Sequence, residues 1–393
     1  MPAPRFAVTT EAAAFVAGGG RDLDTTRLPG ADALAAGAAV GLDDPRGDEV
    51  GIAIADPDNA RLRVMLTPAD GFPQLTAAVL GWRLERALSW RRALGLPGDD
   101  ATYRIVHGAG DGLPGFTADI LGRYAVLYAY APALLPWARH LAEAIRGFTG
   151  VRGVVIKVRA RGGASDVSQE VIGETPPDRY VAIEHDLPVE IHPLGGLNTG
   201  LFTDMREERQ VLGRFVAGGA VANLFSYTAT LSLVCARAGA ASVVSVDTSD
   251  GVAAWARGNF GRAGLSPDDP RWRFETGDAV RFLTRAGKAR ERYRLIVIDP
   301  PTFSTARGAP WTLERDYPEL IGLAAAVVEP GGVLWLAANT HELGSLGRLV
   351  GKGLRAAGRT GAVVRQAGLP ADYPTVPAQP RDRYLQIMAL RLA

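Results

Sequence analysis

The residues of this chain best suited to chemistry form the run Asp299-Pro300-Pro301-Thr302-Phe303. The run follows four apolar residues, 295–298, which predict a buried parallel strand. An acid, two prolines and an aromatic ring at the carboxyl end of such a strand make a rigid platform that faces solvent. Ligands of open α/β sheets bind at this edge of the sheet. The candidate catalytic residues on the platform are therefore Asp299, Pro300, Pro301 and Phe303.

From residue 220 onward the chain repeats strand and helix patterns, and these elements must position the platform. Short apolar runs separated by helical patterns predict a series of strands. The predicted strands are 220–224, 242–246, 272–274, 295–298, 333–337 and 384–392. Such alternation is typical of a doubly wound, mostly parallel sheet with right-handed crossovers, which is a Rossmann-like α/β fold.

Acidic residues stand at the ends of three of these strands. Asp247 ends the second strand, Asp278 follows the third, and Asp299 follows the fourth. An Asp at a strand end is also a common helix N-cap, and Asp278 could simply cap a helix over 279–286. Because carboxyl ends of parallel strands share one edge, three acids in succession indicate a ligand site there.

This arrangement resembles class I methyltransferases, which use S-adenosylmethionine and place an Asp/Asn-Pro-Pro-aromatic motif against a flat acceptor. The resemblance implies that the turn 223–230 presents amide N–H groups to the methionine carboxylate at a helix start. It also implies that Asp247 binds the ribose hydroxyls, that Asp278 faces adenine, and that the last strand is antiparallel. Most such enzymes have a glycine-rich turn here, and this chain has no glycine in it. The cofactor-binding residues implied so far are Asn223, Phe225, Tyr227, Thr228, Asp247, Ser249, Asp278 and Asp299.

Three motifs together resemble a narrower family, the methyltransferases of large-subunit ribosomal RNA. They are NTGLFTDMR at 198–206, NLFSYT at 223–228 and DPPTFS at 299–304, and the resemblance covers roughly residues 75–393. In this family the first motif closes over S-adenosylmethionine. The resemblance therefore implies that Phe202, Asp204 and Arg206 lie near the cofactor. A structural loop with a helix-starting Asp204 is the alternative interpretation.

The family has a cytosine-C5 branch and a guanine-N7 branch. The cytosine branch has a catalytic cysteine, and this residue distinguishes the two. Cytosine C5 is a poor nucleophile, so enzymes that methylate it first add a thiolate to C6. The only cysteine here, Cys235, lies in an apolar helical pattern and is predicted to be a buried, unreactive core residue. The stretch 337–341, after strand five, contains no cysteine. Covalent methylation of cytosine C5 is therefore disfavoured.

Two features resemble the guanine branch: the Asp-Pro-Pro-Thr-Phe-Ser form and an Asn after strand five, here Asn339. Guanine N7 carries an unprotonated lone pair, so positioning and removal of water suffice for direct transfer. We expect Phe303 to stack on the acceptor base while Asp299 and Asn339 hydrogen-bond its edge. His341 is a candidate base for an amine or hydroxyl acceptor, although an ordinary loop residue is the favoured interpretation. The segment 371–374, ADYP, instead resembles the cytosine branch, so the chain combines both patterns.

Two further regions precede residue 194. Residues 1–70 show short strand patterns between Gly, Pro and Asp turns, which predict a small β-rich module. Its place in the chain resembles that of the PUA RNA-binding domain of the cytosine branch. Residues 71–193 begin with a long amphipathic helix over 73–94 and continue as an α+β pattern, a middle domain for substrate recognition. Residues 194–393 are the predicted S-adenosylmethionine-binding methyltransferase domain.

Length and composition fit a multidomain cytoplasmic enzyme. With 393 residues, 47% of them hydrophobic, the chain is expected to form two or three packed domains. It has no apolar run of about 18 residues and no secretory signal pattern, so no membrane association is expected. A single cysteine excludes an internal disulfide and a cysteine-thiolate metal cluster, and no metal site is predicted.

The net charge of +1 bears on the partner. Nucleic-acid binders often carry a strongly basic surface, so any basic patch here must be local, and ordinary solvated surface is the alternative. The candidate patch residues are Arg83, Arg86, Arg91, Arg92, Lys157, Arg159 and Arg161.

The leading hypothesis is methylation of a ribosomal RNA base, at a ring or exocyclic nitrogen and most simply guanine N7, as a step of rRNA processing. The alternatives are a methyltransferase of a small molecule or peptide and an inactive RNA-binding assembly factor. Homodimers are common in the family, and the residues do not decide this point.

Overall fold

A computed structural model describes residues 4–96, 101–159, 168–301, 303–304, 311–340 and 345–393. The helices are α1 Thr10–Ala17, α2 Ala77–Ala93, α3 Leu135–Thr149, α4 Arg206–Leu212, α5 Thr230–Arg237, α6 Asp250–Arg262, α7 Ala279–Lys288, α8 Leu313–Val327 and α9 Ser345–Ala356. The strands are β1 Arg5–Ala7, β2 Asp22–Asp24, β3 Ala39–Asp43, β4 Glu49–Asp56, β5 Arg61–Leu66, β6 Thr102–His107, β7 Phe116–Leu121, β8 Tyr124–Ala129, β9 Gly153–Val158, β10 Ser168–Gly173, β11 Tyr180–Glu184, β12 Leu187–Ile191, β13 Ala220–Leu224, β14 Ser242–Asp247, β15 Trp272–Thr276, β16 Tyr293–Ile298, β17 Phe303–Ser304, β18 Trp311–Thr312, β19 Val328–Asn339, β20 Gly361–Ala367 and β21 Leu385–Leu392.

The chain divides into two compact units. The first unit contains residues 1–184, 191–199 and 371–382, and the second contains 185–190, 200–370 and 383–393. The division into three domains, with boundaries after residues 70 and 193, stays a prediction. Within the part of the chain that the structure describes, no helix is long and apolar enough to cross a membrane.

The second unit is built on a seven-stranded sheet with the order β15-β14-β13-β16-β19-β21-β20. Neighbours from β15 to β19 pair in parallel, whereas β21 pairs antiparallel with β19 and with β20. Parallel neighbours need crossover connections, and helices α5 to α8 lie between these strands in the chain. The predicted Rossmann-like α/β fold and its late antiparallel strand are therefore confirmed.

One face of this sheet carries the main hydrophobic cluster of the second unit. Side chains of β13, β16 and β19 pack there against α7, α8 and α9, with Ile298, Tyr317 and Leu336 fully buried. The strands read as continuous apolar runs because a parallel sheet in this fold is covered by helices. This packing fixes the strand ends from which the candidate site residues project.

The first unit holds two smaller sheets and two hydrophobic clusters. Residues 5–66 form a five-stranded sheet of order β1-β3-β4-β5-β2 around one cluster, which confirms a small, β-rich, PUA-like module. The second sheet, of order β10-β9-β8-β7-β6, packs against α2 and α3 around the other cluster. The α+β pattern that the sequence predicts after the first module is thus present.

Several predicted surface cations are buried, which corrects the expected basic patch. Arg83 donates to the Asp70 carboxylate at 2.6 Å, and Arg91 forms two hydrogen bonds with the Asp111 carboxylate at 2.5 and 2.8 Å. The Lys157 ammonium donates to two backbone carbonyls, and its burial lowers its pKa to about 8. These three side chains hold the first unit together and cannot form a basic surface.

Candidate functional site

The candidate residues lie just beyond one row of paired residues in the seven-stranded sheet. Val246, Leu224, Ile298 and Leu336 pair in sequence across β14, β13, β16 and β19. The next residue along β14 is Asp247, and the next after β16 is Asp299. The structure therefore places these two predicted acids at the same edge of the sheet, separated by the turn that follows β13.

The same edge extends to the outer strands. Asp247 pairs with Thr276 of β15, and the N–H of Gly277 donates to the Asp247 carbonyl at 2.7 Å. Asp278 follows Gly277 directly, so it lies beside the end of β14. On the other side of β16, Asn339 is the exposed last residue of β19. The ends of these strands thus bring the three acids and Asn339 to one edge of the sheet, as the sequence predicts.

The turn after β13 has the backbone shape of a glycine-rich turn, although it contains no glycine. Phe225, Tyr227 and Ala229 have φ angles of 59°, 47° and 60°. A left-handed conformation costs an L-residue about 1–2 kcal/mol, and such strain is characteristic of ligand sites. The Asp247 Oδ2 atom accepts the N–H of Tyr227 at 2.9 Å and so holds the turn in place.

Two predicted cofactor residues, Asn223 in β13 and Thr228 in the turn, direct their side chains into the protein. Asn223 is 1% exposed, and its Nδ2 donates to Ser232 Oγ at 2.9 Å. Thr228 is equally buried, and its Oγ1 donates to the carbonyl of Gly200 at 2.7 Å. These side chains therefore organise the turn, and a ligand at the edge would meet their backbone.

Ser249 and Asp278 both act as helix N-caps. Ser249 Oγ accepts the N–H of Val252 in α6 at 3.3 Å, and Asp278 Oδ1 accepts the N–H of Arg281 in α7 at 3.0 Å. The capping interpretation of Asp278 is thus observed. Because a carboxylate offers several acceptor positions, capping does not by itself exclude contact with a ligand.

The segment that begins at Gly200 packs tightly over the turn. Gly200 has a φ of 106°, and a Cβ added there would lie 2.2 Å from Trp255 Cζ2 and 2.7 Å from the Glu190 carbonyl oxygen. Burial raises the pKa of the Tyr227 hydroxyl to about 12, while the backbone of Gly200 acts to lower it. The Tyr227 ring lies 5.2 Å from that of Phe202, which is 45% exposed. This part of the first motif therefore places an exposed aromatic ring beside the turn.

Asp299 is electrostatically coupled to the first motif. The pKa of Asp299 is raised to about 7, first by burial and then by the neighbouring charge of Asp204, while Arg209 acts in the opposite direction. The Tyr384 hydroxyl donates to Asp204 Oδ2 at 3.0 Å, and Arg209 donates to the Phe202 carbonyl at 2.7 Å. The structure thus brings two carboxyls and a guanidinium together, and Asp299 can change its protonation state near neutral pH.

Arg209 and Tyr384 are the site neighbours that the sequence analysis missed. Arg209 is three residues after the predicted Arg206, so helical spacing could have pointed to it. Tyr384 is 180 residues from its partner Asp204, and no local pattern links them. Arg206 itself is buried, with its guanidinium 3.2 Å from His185 Nε2.

The platform after Asp299 is described only in part. Pro300 is buried and Pro301 is exposed. The backbone of β17 pairs antiparallel with β18, which fixes the path of the chain at Phe303, but the Phe303 side chain is outside the described part. The predicted residues Arg161, Thr302 and His341 also lie outside the described residues.

The residues at this edge fit S-adenosylmethionine. Its ribose hydroxyls and amino groups need acceptors, which the carboxylates of Asp247 and Asp278 offer, and its methionine carboxylate needs N–H donors, which the start of α5 offers. A Cβ added at Gly277 would meet no atom within 4 Å, so there is open space beside Asp278. Among the described residues no group of His, Cys, Asp and Glu side chains is arranged to hold a metal ion.

Comparison with known proteins supports S-adenosylmethionine as the cofactor. Residues 141–382 match the family of S-adenosylmethionine-dependent methyltransferases. Ribosomal RNA large subunit methyltransferase I of Klebsiella pneumoniae strain 342 is 27% identical over 340 residues, covering 85% of this chain and 84% of its own. The protein of the same name from Cronobacter sakazakii is 27% identical over 358 residues, covering 90% of each chain.

A solved structure shares the architecture of nearly the whole chain. The structure of SMU.776, a methyltransferase complexed with SAH, has a TM-score of 0.87 and covers 99% of this chain and 100% of its own, at 21% identity. That likeness supports the fold, and the family match spans more than half of the residues. This chain therefore belongs to the S-adenosylmethionine-dependent methyltransferases.

Proposed function

We propose that this enzyme methylates a base of ribosomal RNA at a ring or exocyclic nitrogen, with guanine N7 favoured, by direct transfer. The names of the curated relatives support ribosomal RNA as the acceptor. The main support for direct transfer is that the only cysteine of the sequence is buried and unreactive. Cys235 is fully buried in α5, and burial raises the pKa of its thiol well above the usual range. An enzyme without an accessible thiolate cannot make the covalent adduct with C6 that cytosine C5 chemistry uses.

The chain's residues would bind the cofactor at the edge described above. S-adenosylmethionine supplies an electrophilic methyl group on a sulfonium. We assign Asp247 to the ribose hydroxyls, Asp278 to the adenine amino group, and the amides of the turn 223–230 to the methionine carboxylate. The first motif would cover the site through Phe202, and Asp204 and Arg206 would shape its wall. Ser249 would contribute through the start of α6.

The acceptor would lie on the platform after β16. Pro300 and Pro301 give this chain segment little freedom to move, Phe303 would stack on a flat base, and Asp299 and Asn339 would hydrogen-bond its edge. Guanine N7 needs no deprotonation, so orienting the lone pair and excluding water would supply most of the acceleration. A target base inside a duplex would first have to leave the stack.

The charge distribution bears on where RNA would be held. Residues 1–70 contain 11 acidic and six basic residues, whereas residues 194–393 contain 24 basic and 18 acidic residues. Phosphate binding depends on releasing counterions to Lys and Arg side chains. We therefore place most of the electrostatic contribution to RNA binding in the methyltransferase domain, and a ribosomal RNA acceptor would locate the enzyme in the cytoplasm.

Replacing the thiol should leave catalysis intact. We expect Cys235→Ala to keep the rate of methyl transfer within about twofold of the wild-type rate. The free energy of unfolding should fall by about 1 kcal/mol, because a small cavity replaces the buried sulfur. The measurements are urea unfolding and transfer of labelled methyl groups to ribosomal RNA. Loss of methyl transfer by a normally folded variant would contradict direct transfer and would favour a covalent mechanism on cytosine C5.

Two variants separate the roles of Asp278 as a helix cap and as a cofactor ligand. Asp278→Ser keeps an N-cap acceptor but removes the carboxylate, so we expect unchanged stability and an S-adenosylmethionine Kd raised about tenfold. Asp278→Ala should show the same affinity loss and also lose about 1 kcal/mol of stability. Calorimetric binding and urea unfolding measure the two effects. A normal S-adenosylmethionine Kd for Asp278→Ser would show that Asp278 caps α7 and does not bind the cofactor.

Nucleoside mass spectrometry tests the proposed function. Ribosomal RNA from the source organism should lose one methylated nucleoside when the gene is deleted, and the purified enzyme should restore it in vitro. Loss of 7-methylguanosine would support the favoured base, and loss of 5-methylcytidine would contradict direct transfer to nitrogen. An unchanged profile, with S-adenosylmethionine binding intact, would favour a small-molecule or peptide acceptor.

A further inference from the structure

A tyrosine that the assignments above do not use lies directly beneath the platform. The hydroxyl of Tyr317, in α8, donates to the carbonyl of Ala337 at 2.7 Å, and the carbonyl of Ile298 is 3.3 Å away. Ile298 is the last residue of β16, and Ala337 belongs to the neighbouring β19. The hydroxyl thus spans two adjacent strands at the point where the chain leaves the sheet to form the Asp299 platform.

The ring of Tyr317 reaches a third segment of the site. Its side chain is fully buried, and its ring lies 6.2 Å from that of Trp311. The Trp311 ring in turn lies 6.3 Å from that of Phe225, one of the left-handed residues in the turn after β13. Tyr317 therefore links the ends of β16 and β19 directly, and it links the cofactor turn through one aromatic neighbour.

Helix α8 holds this tyrosine with little freedom to move. A Cβ added at Gly353 in α9 would lie 2.6 Å from Ile321 Cγ2 and 2.7 Å from the carbonyl oxygen of Pro318. Such a close approach of two helices leaves no space for α8 to shift toward α9. The hydroxyl is therefore presented to the strand ends from a rigid element, which is the requirement for precise positioning of a site.

The hydroxyl stays a donor across the working pH range. Burial raises the pKa of Tyr317 well above its usual value, and the Asp299 carboxyl raises it further. A protonated hydroxyl has one hydrogen to donate, and the shorter contact to Ala337 is the stronger bond, with Ile298 as the secondary acceptor.

We propose that Tyr317 is a positioning residue for methyl transfer: its hydroxyl joins the ends of β16 and β19 and so fixes Asp299 relative to Asn339. The proposal rests on the proposed role of these two side chains at the acceptor. A displacement of about 1 Å in a reacting group can cost about 100-fold in rate. A residue that holds both strand ends can therefore control turnover without touching the substrate.

The test compares two tyrosines that belong to the same hydrophobic cluster. Tyr317→Phe removes the hydroxyl at the carboxyl end of β16. The control Tyr293→Phe removes a part-buried hydroxyl at the amino end of the same strand, which donates to Glu291. We expect Tyr317→Phe to lower the single-turnover rate of methyl transfer to ribosomal RNA about 20-fold or more. Its Kd for S-adenosylmethionine should stay within about twofold of wild type.

Hydrogen exchange gives a readout that does not require RNA. Peptides covering 296–301 and 335–340 should exchange about tenfold faster in Tyr317→Phe than in the wild type, whereas Tyr293→Phe should leave them unchanged. Equal exchange and equal transfer rates in both variants would overturn the proposal and leave Tyr317 as an ordinary core residue.

The two readouts also separate this proposal from the proposed function. Absence of RNA methylation by the wild-type enzyme would contradict the acceptor, while the exchange comparison would still decide whether Tyr317 holds the strand ends. Faster exchange with an unchanged transfer rate would contradict the positioning role, because the strand ends would then move without consequence for the reaction.

Discussion

Gly200→Ala is expected to lower the free energy of unfolding by about 3–4 kcal/mol and to weaken S-adenosylmethionine binding at least about 100-fold. The φ of 106° at this position is strained for any side chain, and the new Cβ would overlap Trp255 and the Glu190 carbonyl. The segment that begins at Gly200 would relieve the overlap by moving away from the turn after β13, which contains Tyr227 and Thr228. Urea unfolding and calorimetric binding measure the two effects.

Gly239→Ala is the matched control. Gly239 also lies in the second unit and has a φ of 86°, but an added Cβ there would meet no atom within 4 Å. This variant should lose only about 1 kcal/mol, the cost of the left-handed backbone, and should bind S-adenosylmethionine normally. Similar losses in both variants would show that backbone strain alone matters, and that the contact with Trp255 does not organise the site.

The features of the fold that the sequence predicted are those set by local periodicity. Buried parallel strands read as apolar runs, so the predicted bounds of β13, β14 and β16 are close to those observed, and strand alternation predicts the sheet type. The prediction for β19 covers only residues 333–337 of a strand that runs from Val328 to Asn339. Acids at strand ends then gave Asp247, Asp278 and Asp299, because the topology of a parallel sheet brings those ends together. These inferences needed no knowledge of contacts between distant residues.

What the sequence did not reveal depends on distant contacts or on context. The bonds from Tyr317 to two strand ends and from Tyr384 to Asp204 join residues that no short pattern connects. The left-handed turn after β13 is imposed by its surroundings, including the bond from Tyr227 to Asp247, since its residue types do not favour that conformation.

The buried cations show a different limit. Arg91 was assigned to the surface by its residue type, yet it shares a helical face with Leu80, Leu84 and Ala87, which are buried. That spacing could have placed it inside the protein. The partner that makes its burial tolerable, Asp111, lies in a different element, so the ion pair itself was not predictable from the helix.

The electrostatics of Asp299 lead to a prediction in which stability and activity change in opposite directions. Asp299→Asn should raise the free energy of unfolding by about 4 kcal/mol at pH 8 and lower the single-turnover rate of methyl transfer at least about 100-fold. In the folded protein the pKa of Asp299 is raised from 3.8 to about 7. The folded state therefore binds a proton more tightly than the unfolded state, and the contribution of Asp299 to stability falls as pH rises from about 4 to about 7.

The stability gain of Asp299→Asn should depend on pH. Above pH 7 the wild type carries an ionised, half-buried carboxylate that the charge of Asp204 disfavours, and the amide has no such charge. At pH 4 the aspartate is protonated, so the gain should vanish. Urea unfolding at pH 4 and pH 8 measures it, with the exposed Asp250→Asn as control. This control should leave transfer unchanged and should slightly lower, not raise, stability at pH 8, because Asp250 lies in the first turn of α6. A gain that persists unchanged at pH 4 would mean that charge is not its cause. Normal transfer by Asp299→Asn would show that methyl transfer does not need the charge or the ionisable proton of Asp299, because the amide keeps the shape of the side chain and an acceptor oxygen.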